Sequence, residues 1–454
     1  MCRNELLEDG RIPSAATLNR RAKPKAHWSS SEAVSALLPL SPGKGGPVAD
    51  AIGRERFLKS GYCCIVSRTG LLLFGVMLFR YCLGFWLCVG LASAVRAGGA
   101  TATALAVRYA PYADWQKVMD VDLLAGQSVI RYWRTAEEIA AARAEADLPL
   151  TGLHLALDPG HIGGKWAEAE GRQFRIAADD FYVREGELVL EVAQRVRAQL
   201  VGLGAQVTLL REANVRVNPK GPIDYLERAA QQVPAPTGAS LAALIDYGLA
   251  LRARAVRLSI VSGDLAERAR LVNEVIQPDA LISLHINAAA WPSSESVSES
   301  ESESERQLVA SNHVHVLIFG CMSEGELQSG RQQAQLAVKL GNDSGAAEHL
   351  LGAALAEALA AGTGLPASTY EGRNAIRLDA GNTYLFARNL LLLRSVECPT
   401  VLLEPYVANS VPVYPRIQAA LANRATGAPL TEDDILVEYA DAVVAGVLGC
   451  YADD

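Results

Sequence analysis

Aromatic residues make up only 6% of the 454-residue chain, and histidines number just seven. Cysteine is present without pattern. Of eight cysteines, Cys2, Cys63, Cys64, Cys82 and Cys88 precede residue 90, which leaves Cys321, Cys398 and Cys450. An odd remainder with no CxxC spacing excludes a disulfide scaffold and a cysteine-held zinc. Positive charge is also short in the main body. Residues 1–100 hold 13 Lys/Arg against 6 Asp/Glu; the rest hold 29 against 44, a net of −15. An acidic body excludes non-specific nucleic-acid binding, which needs a basic surface. No internal repeat is evident. What remains is half hydrophobic and one fifth charged, enough for a sizeable core and too apolar for global disorder.

The first hundred residues stand apart. Residues 1–68 hold Pro, Ser and basic residues without periodicity, and are expected to be disordered or to lie upstream of the true start. Residues 69–94 are apolar except for Arg80 and run into the small-residue sites Ala92-Ser93-Ala94 and Val95-Arg96-Ala97. A basic flank, an apolar stretch and an A-x-A site make residues 69–97 a secretory signal. The same length could be kept as a membrane anchor. Either way the body is expected to be exported, to a periplasm or cell envelope. Cys82 and Cys88 lack small residues just before them, which argues against a lipid-modified cysteine.

Residues 98–150 read as a linker with one helix, Thr135 and Glu138 forming its capping box. From residue 151 short apolar runs alternate with helical periodicity. Strands are expected at His154–Leu157, Gln206–Leu210, Ala280–Leu284, His313–Phe319 and Thr400–Leu403. Helices are expected at Glu187–Leu200, Leu265–Ile276, Ala346–Ala361 and Asp433–Leu448. This alternation predicts an α/β fold: one domain over residues 151–454, with a mostly parallel sheet flanked by helices. Two insertions interrupt it. Residues 213–262 contain the apolar run Ala239–Leu251, expected to be a helix that either covers a groove, docks a partner, or packs on the sheet as extra core. Residues 293–311 open with a Ser/Glu-rich stretch, a solvated loop.

In such sheets active sites gather at the carboxyl ends of strands. His161 follows the first strand, His285 ends another, and Glu404 ends a third; Glu185 opens a helix. Two histidines and a carboxylate with an open fourth position form a catalytic zinc site, and a second carboxylate can take a proton from water. Singly, each residue reads more simply as a turn residue or a helix-dipole partner. His313-x-His315 places two imidazoles on one strand face, a second metal pair in principle, although strand histidines are more often structural. His154, His349 and His27 read as ordinary strand, helix and tail residues. Asn287, Arg268 and Arg394 fit either ion pairs and loop caps or substrate contacts.

Five motifs then occur in order: Asp158-Pro159-Gly160-His161; Glu185 with Leu190 and Ala193; Leu265-x-x-Arg268-x-x-Leu271-Val272-Asn273; Ser283-Leu284-His285-Ile286-Asn287; and Pro399 through Glu404. Together they resemble the zinc-dependent N-acetylmuramoyl-L-alanine amidases of the cell-division and sporulation type, over about residues 151–450. The resemblance implies one Zn²⁺ held by His161, Glu185 and His285, with Glu404 as the catalytic carboxylate. Glu187 competes with Glu185, and the helix phase relative to Leu190 favours Glu185. The implied substrate is peptidoglycan, cut between N-acetylmuramic acid and L-alanine, with an activator protein as a further partner and membrane contact through the amino-terminal segment. A zinc peptidase acting on stem peptides and an inactive wall-binding protein are the alternatives. Ile162, between His161 and the two glycines, and Pro405-Tyr406 after Glu404 depart from the family pattern.

Overall fold

The computed structural model describes residues 107–113, 131–143, 147–238, 240–292, 306–370, 372–379 and 381–452. The expected signal or anchor at 69–97, the 1–68 extension and most of the Ser/Glu-rich stretch lie outside them. Among the described residues no helix is long and apolar enough to cross a membrane.

Seven strands form one sheet in the order β4-β1-β5-β9-β6-β8-β7. They are β1 (His154–Pro159), β4 (Gln206–Leu209), β5 (Ala280–Leu284), β6 (His315–Phe319), β7 (Ala375–Arg377), β8 (Leu385–Arg388) and β9 (Thr400–Glu404); β2 (Gln173–Phe174) and β3 (Val183–Arg184) form a separate hairpin. β4, β1, β5 and β9 run parallel, as do β6 and β8. β6 is antiparallel to β9, and β7 to β8. The sheet is therefore mostly parallel, as expected. Its central strands are buried along their length, which is why they read as continuous apolar runs rather than alternating ones.

Alternate residues still feed different layers. Leu155, Leu157, Ile282, Val316, Ile318, Val401 and Leu403 join one core. That core is closed by α2 (Glu185–Gly202), α6 (Ser344–Thr363) and α8 (Ile435–Tyr451). Ala156, Leu281, Leu317, Phe319 and Leu402 point the other way, toward α4 (Gly263–Leu271) and α5 (Gly330–Gly341). The remaining helices of eight residues or more among the described residues are α1 (Ala136–Arg143), α3 (Leu241–Arg257) and α7 (Tyr414–Thr426). α2 shows the logic of the expected amphipathic pattern: Val189, Val192, Ala193, Val196 and Leu200 are all buried.

Some expectations need correction. The helix read as Leu265–Ile276 is α4 followed by a wide π-helical turn at Val272–Ile276. The strand read from His313 starts at His315. Residues 98–150, read as a linker, are packed on the body wherever described. Tyr109, Trp133 and Ile139 are buried. Arg108 donates to Glu348 at 2.5 Å and to the Gly345 carbonyl at 2.7 Å, and Arg134 pairs with Asp279 at 2.7 Å. Buried aromatics and a buried ion pair make a strap, not a tether. The capping box is present: Thr135 N donates to Glu138 at 2.8 Å, and Glu138 N to Thr135 Oγ1 at 3.1 Å. Finally, the 213–262 insertion adds nothing to the sheet core. α3 has one buried residue, Ala255; Ala255 and Leu251 join a small cluster with Ala229, Leu258 and Tyr225, and the helix also touches the short helix Ala167–Glu170.

Candidate active site

β1, β5 and β9 are neighbours pointing the same way, so their carboxyl ends deliver His161, His285 and Glu404 to one rim. A single cavity is lined by Gly160, His161, His285, Arg388 and Glu404. The β2–β3 hairpin feeds straight into α2, which puts Glu185 in the first turn of that helix, where the dipole favours a carboxylate.

His161, Glu185 and His285 offer ligand atoms that all lie within 4.8 Å of one another, the one such group among the described residues. Glu185 Oε1 is 3.0 Å from His285 Nδ1, and Glu185 Oε2 is 3.2 Å from His161 Nε2. A tetrahedral ion with bonds of about 2.0–2.1 Å has ligand–ligand edges of about 3.3 Å, so each imidazole stands at about an edge length from one oxygen of the Glu185 carboxylate. The electrostatics agree. Burial pushes the His161 pKa down, yet Glu185 and Glu170 outweigh it and lift it to about 9. A site that holds a proton this tightly attracts a cation. Glu185 is pushed up by burial and pulled further down by the two imidazoles, ending well below the usual carboxylate range. Glu187 takes a different part: it accepts from Gly164 N at 3.0 Å and pairs with Arg184 at 3.2 Å.

The backbone around His161 is forced. His161 has φ of 54°, a left-handed conformation unfavourable for a non-glycine residue. Two buried guanidiniums hold it. Arg268 donates to the carbonyls of Pro159 and His161, both at 2.8 Å. Arg211 donates to the carbonyls of Pro159 and Gly160 at 3.1 Å and of Gly186 at 2.5 Å. Arg268 is itself clamped by Asp158 and by Asp264 at 2.8 Å, and Ser283 donates to Asp158 at 2.7 Å. Arg268 is thus an ion-pair residue under the site. Gly160 is required for a close approach: a Cβ there would stand 2.3 Å from the His285 ring. At Gly186 a Cβ would stand 2.4 Å from Gly163 N, so α2 could not reach the loop that carries His161.

Sequence reasoning missed two features of the site. Glu170 ends a short helix, Ala167–Glu170. It accepts from Ile162 N at 3.0 Å and lies 3.5 Å from His161 Nδ1. A carboxylate on the far nitrogen of a ligand histidine fixes its tautomer and orientation. The inserted Ile162 is part of this device, since its N–H anchors Glu170 and its side chain is buried. The second is the place of His315 beside Glu404, since the sequence offered His315 only as a partner of His313 on one strand face. β6 runs against β9, so its first residue stands opposite the last residue of β9. His315 Nε2 is 3.5 Å from Glu404 Oε2. Burial pushes the Glu404 pKa up, but His315 and the charge of His285 outweigh it and hold the carboxyl at about 2. His313 serves differently. Burial and His315 hold its pKa down at about 4, and it accepts from Asn287 Nδ2 at 3.0 Å. Asn287 is thereby a loop-bracing residue. Tyr406, the other departure after Glu404, has φ of 65° and a buried ring whose hydroxyl donates to Glu438 at 2.7 Å. On the far side of Glu185 a second cavity is walled by Arg172, Phe174, Leu188 and Trp291, with Phe174 and Trp291 edge to face at 5.2 Å.

Residues 155–411, more than half of the chain, match the family described as N-acetylmuramoyl-L-alanine amidase. The chain belongs to this amidase family. A germination-specific N-acetylmuramoyl-L-alanine amidase of Bacillus subtilis is 28% identical over 152 residues, 33% of this chain. That match spans 46% of the relative, so the chain covers about half of the curated relative's length. Among solved structures, the amidase Ami1 of Mycobacterium smegmatis shares 19% identity with a TM-score of 0.35, over 66% of this chain and 97% of that one. The CwlD amidase of Clostridioides difficile, solved in complex with the GerS lipoprotein, shares 12% identity with a TM-score of 0.34, over 65% and 96%. Within the amidase family match lie His161, Glu185, His285 and Glu404.

Proposed function

We propose that this chain is a zinc-dependent hydrolase that cleaves the amide between N-acetylmuramic acid and the L-alanine of peptidoglycan stem peptides. The observation that carries the reading is the convergence of His161, Glu185 and His285, with Glu404 lining the same cavity as the two histidines, inside a chain of the amidase family. The donor set of two imidazoles and one carboxylate suits zinc with an open position. Zinc held there would polarise the scissile carbonyl and lower the pKa of water to about 7. Glu170 holds the His161 ring in place from behind. Glu404, kept ionised beside His315, takes the proton of the attacking water and returns it to the departing alanine nitrogen. The aromatic wall of Phe174 and Trp291 offers a surface for the glycan or the stem. We also place the protein in an exported compartment, periplasm or cell envelope, on the strength of the signal-like residues 69–97, and infer that it works with an activator protein.

Mass spectrometry of purified peptidoglycan after digestion tests the reaction. Released stem peptides that begin with L-alanine are the expected product; fragments cut within the stem would replace the amidase with a peptidase. Glu404→Gln should keep its metal and lose about 10²–10⁴-fold in turnover, the usual worth of general acid–base catalysis. His161→Ala should lose both metal and activity. Normal turnover by metal-loaded Glu404→Gln would move the base elsewhere.

A further inference from the structure

The two cavities beside the His161–Glu185–His285 group are not equivalent. Glu404 lines the first with His161 and His285; Glu185 and the aromatic pair Phe174 and Trp291 line the second. In the reaction proposed above Glu404 returns a proton to the departing alanine nitrogen, so that nitrogen must come within hydrogen-bond reach of it. The amine half of the substrate, the stem peptide, then lies in the first cavity, and the acyl half leads its sugar toward the second. This placing of the two halves rests on that proposed reaction. Beyond the catalytic groups, the first cavity is walled in part by the 213–262 insertion. Arg257, at the end of α3, and Ile260 and Val261, in the π-helical turn Leu258–Ser262, line it together with Leu265, Leu390 and Leu392.

The amino half of α3 carries an apolar stripe, Leu241, Leu244, Ile245 and Leu249, that stands in solvent. The base of the insertion is built otherwise. Val217 N and Asn218 N donate to Asp264 at 2.8 and 2.9 Å, and the other oxygen of Asp264 clamps Arg268. Asn218 Nδ2 donates to the Ser259 carbonyl at 2.8 Å and to the Tyr225 hydroxyl at 2.9 Å. Gly263 leaves room for that hydroxyl, since a Cβ there would stand 2.2 Å from it. Arg216 lies over the Trp166 ring at 5.1 Å, just before the helix Ala167–Glu170. The wall that bears Arg257 is thus tied to the cluster that holds the His161 loop, and a wall fixed in advance selects a ligand at little ordering cost. Charge says what it selects. The acids that line this cavity are engaged: Asp158 and Asp264 with Arg268, Glu170 with Ile162 N and His161, Glu404 with His315. Arg257 is half-buried and has no hydrogen-bonded or ion-paired partner among the described residues. A guanidinium on the wall of such a cavity is a carboxylate site. Stem peptides supply the carboxylate, because the residue after L-alanine is a γ-linked glutamate whose α-carboxyl stays free. We propose that the base of the insertion is the specificity wall for the leaving peptide, and that Arg257 binds the α-carboxylate of that glutamate.

Binding is measured by calorimetry on the full chain carrying Glu404→Gln and loaded with Zn²⁺, so that no turnover intervenes. One probe is MurNAc-L-Ala-γ-D-Glu-L-Lys amidated at the chain end; a second also has the glutamate α-carboxyl as a carboxamide. The second should bind about tenfold more weakly, the worth of about one charge-assisted hydrogen bond. Arg257→Met, which suits a helix as well as arginine does, should cost the acid probe the same factor and leave the carboxamide probe unchanged. Arg257→Lys should recover part of the loss. Equal affinity for the two probes, or equal weakening of both by Arg257→Met, would overturn the proposal. A third probe has the glutamate as carboxamide and the chain end free; dependence on Arg257 with this probe alone would overturn the choice of the glutamate. Products from the enzyme with Glu404 intact keep two failures apart. A cut within the stem would end the amidase reading. Release of the whole tripeptide with the same KM from the first two probes would end the role of Arg257 and leave the amidase standing.

Discussion

Arg268 lies sealed beneath the His161–Glu185–His285 group with Asp158 and Asp264 around it, while Leu241 and Leu249 stand in solvent in the amino-terminal half of α3. Each region inverts the usual placement of charged and apolar side chains, and for opposite reasons. Buried charge is tolerated only when paired and hydrogen-bonded. Under the site every partner is present, and the result is a loop whose carbonyls are aimed inward so that His161 can turn outward. Exposed leucines contribute nothing to the fold they belong to; what they gain comes from something outside it. The contrast separates side chains that hold the site from side chains that the fold leaves uncovered.

The sharpest way to break this contrast is to cut the buried side. Arg268→Met leaves Asp158 and Asp264 without their shared cation and frees the carbonyls of Pro159 and His161. Removing one member of a buried ion pair typically costs about 3–5 kcal/mol, so urea unfolding at neutral pH should show a loss of that order, with metal binding weakened as well. The sign with pH follows from Asp158. Burial raises its pKa, but Arg268 leads the effects that bring it below the ordinary value. A depressed carboxylate contributes stability above its unfolded pKa of about 3.9 and loses it as pH falls through the folded value. The deficit of Arg268→Met should therefore shrink as the pH is lowered through that window. A deficit independent of pH would mean that the pair does not carry the stability.

The two sides also differ in how much of them the amino-acid pattern discloses. His161, His285 and Glu404 were legible because each follows an apolar run, and parallel neighbouring strands bring such ends to one rim. The rule presumes parallel strands, and for that reason it left His315 paired with His313 and unconnected to Glu404. β6 runs the other way, so the residue that meets Glu404 opens its strand instead of ending it. Glu170 was hidden because it sits in a four-residue helix with no periodicity to flag it. β7, β8 and the β2–β3 hairpin are two to four residues long, too short to show a period of two. Arg268 was visible as a motif residue, but its role as clamp depends on Asp158 meeting it across 110 positions of chain. The apolar run in the insertion was legible as a helix, whereas its exposure was not, since periodicity cannot say whether a neighbour covers the stripe.

A smaller cut on the buried side tests the antiparallel pairing. In His315→Gln the imidazole that holds Glu404 near 2 is gone, while burial still raises that carboxyl. As the proposed base Glu404 would act only when ionised, so the acid limb of kcat/KM against pH should move up, toward the ordinary carboxylate range, with turnover near neutrality much less affected than in Glu404→Gln. An acid limb that stays where it was would reduce His315 to a packing residue.

The smallest expected effect lies on the exposed side. Leu241 and Leu249 are mostly in water already, so replacing them with glutamate removes little buried area; exposed substitutions away from special features usually stay within about 0.5 kcal/mol. Two further terms bear on the sign. Glu has a helix propensity close to that of Leu, and Leu241 is in the first turn, where a carboxylate suits the helix dipole. Leu241→Glu/Leu249→Glu should therefore match the wild type in urea midpoint, and in turnover on soluble muropeptides, while Arg268→Met fails on both. Measured side by side, the two variants weigh the regions against each other. A loss of more than about 1 kcal/mol from the glutamates would mean that the stripe is covered from within the chain, and α3 would then belong with the buried side of the comparison.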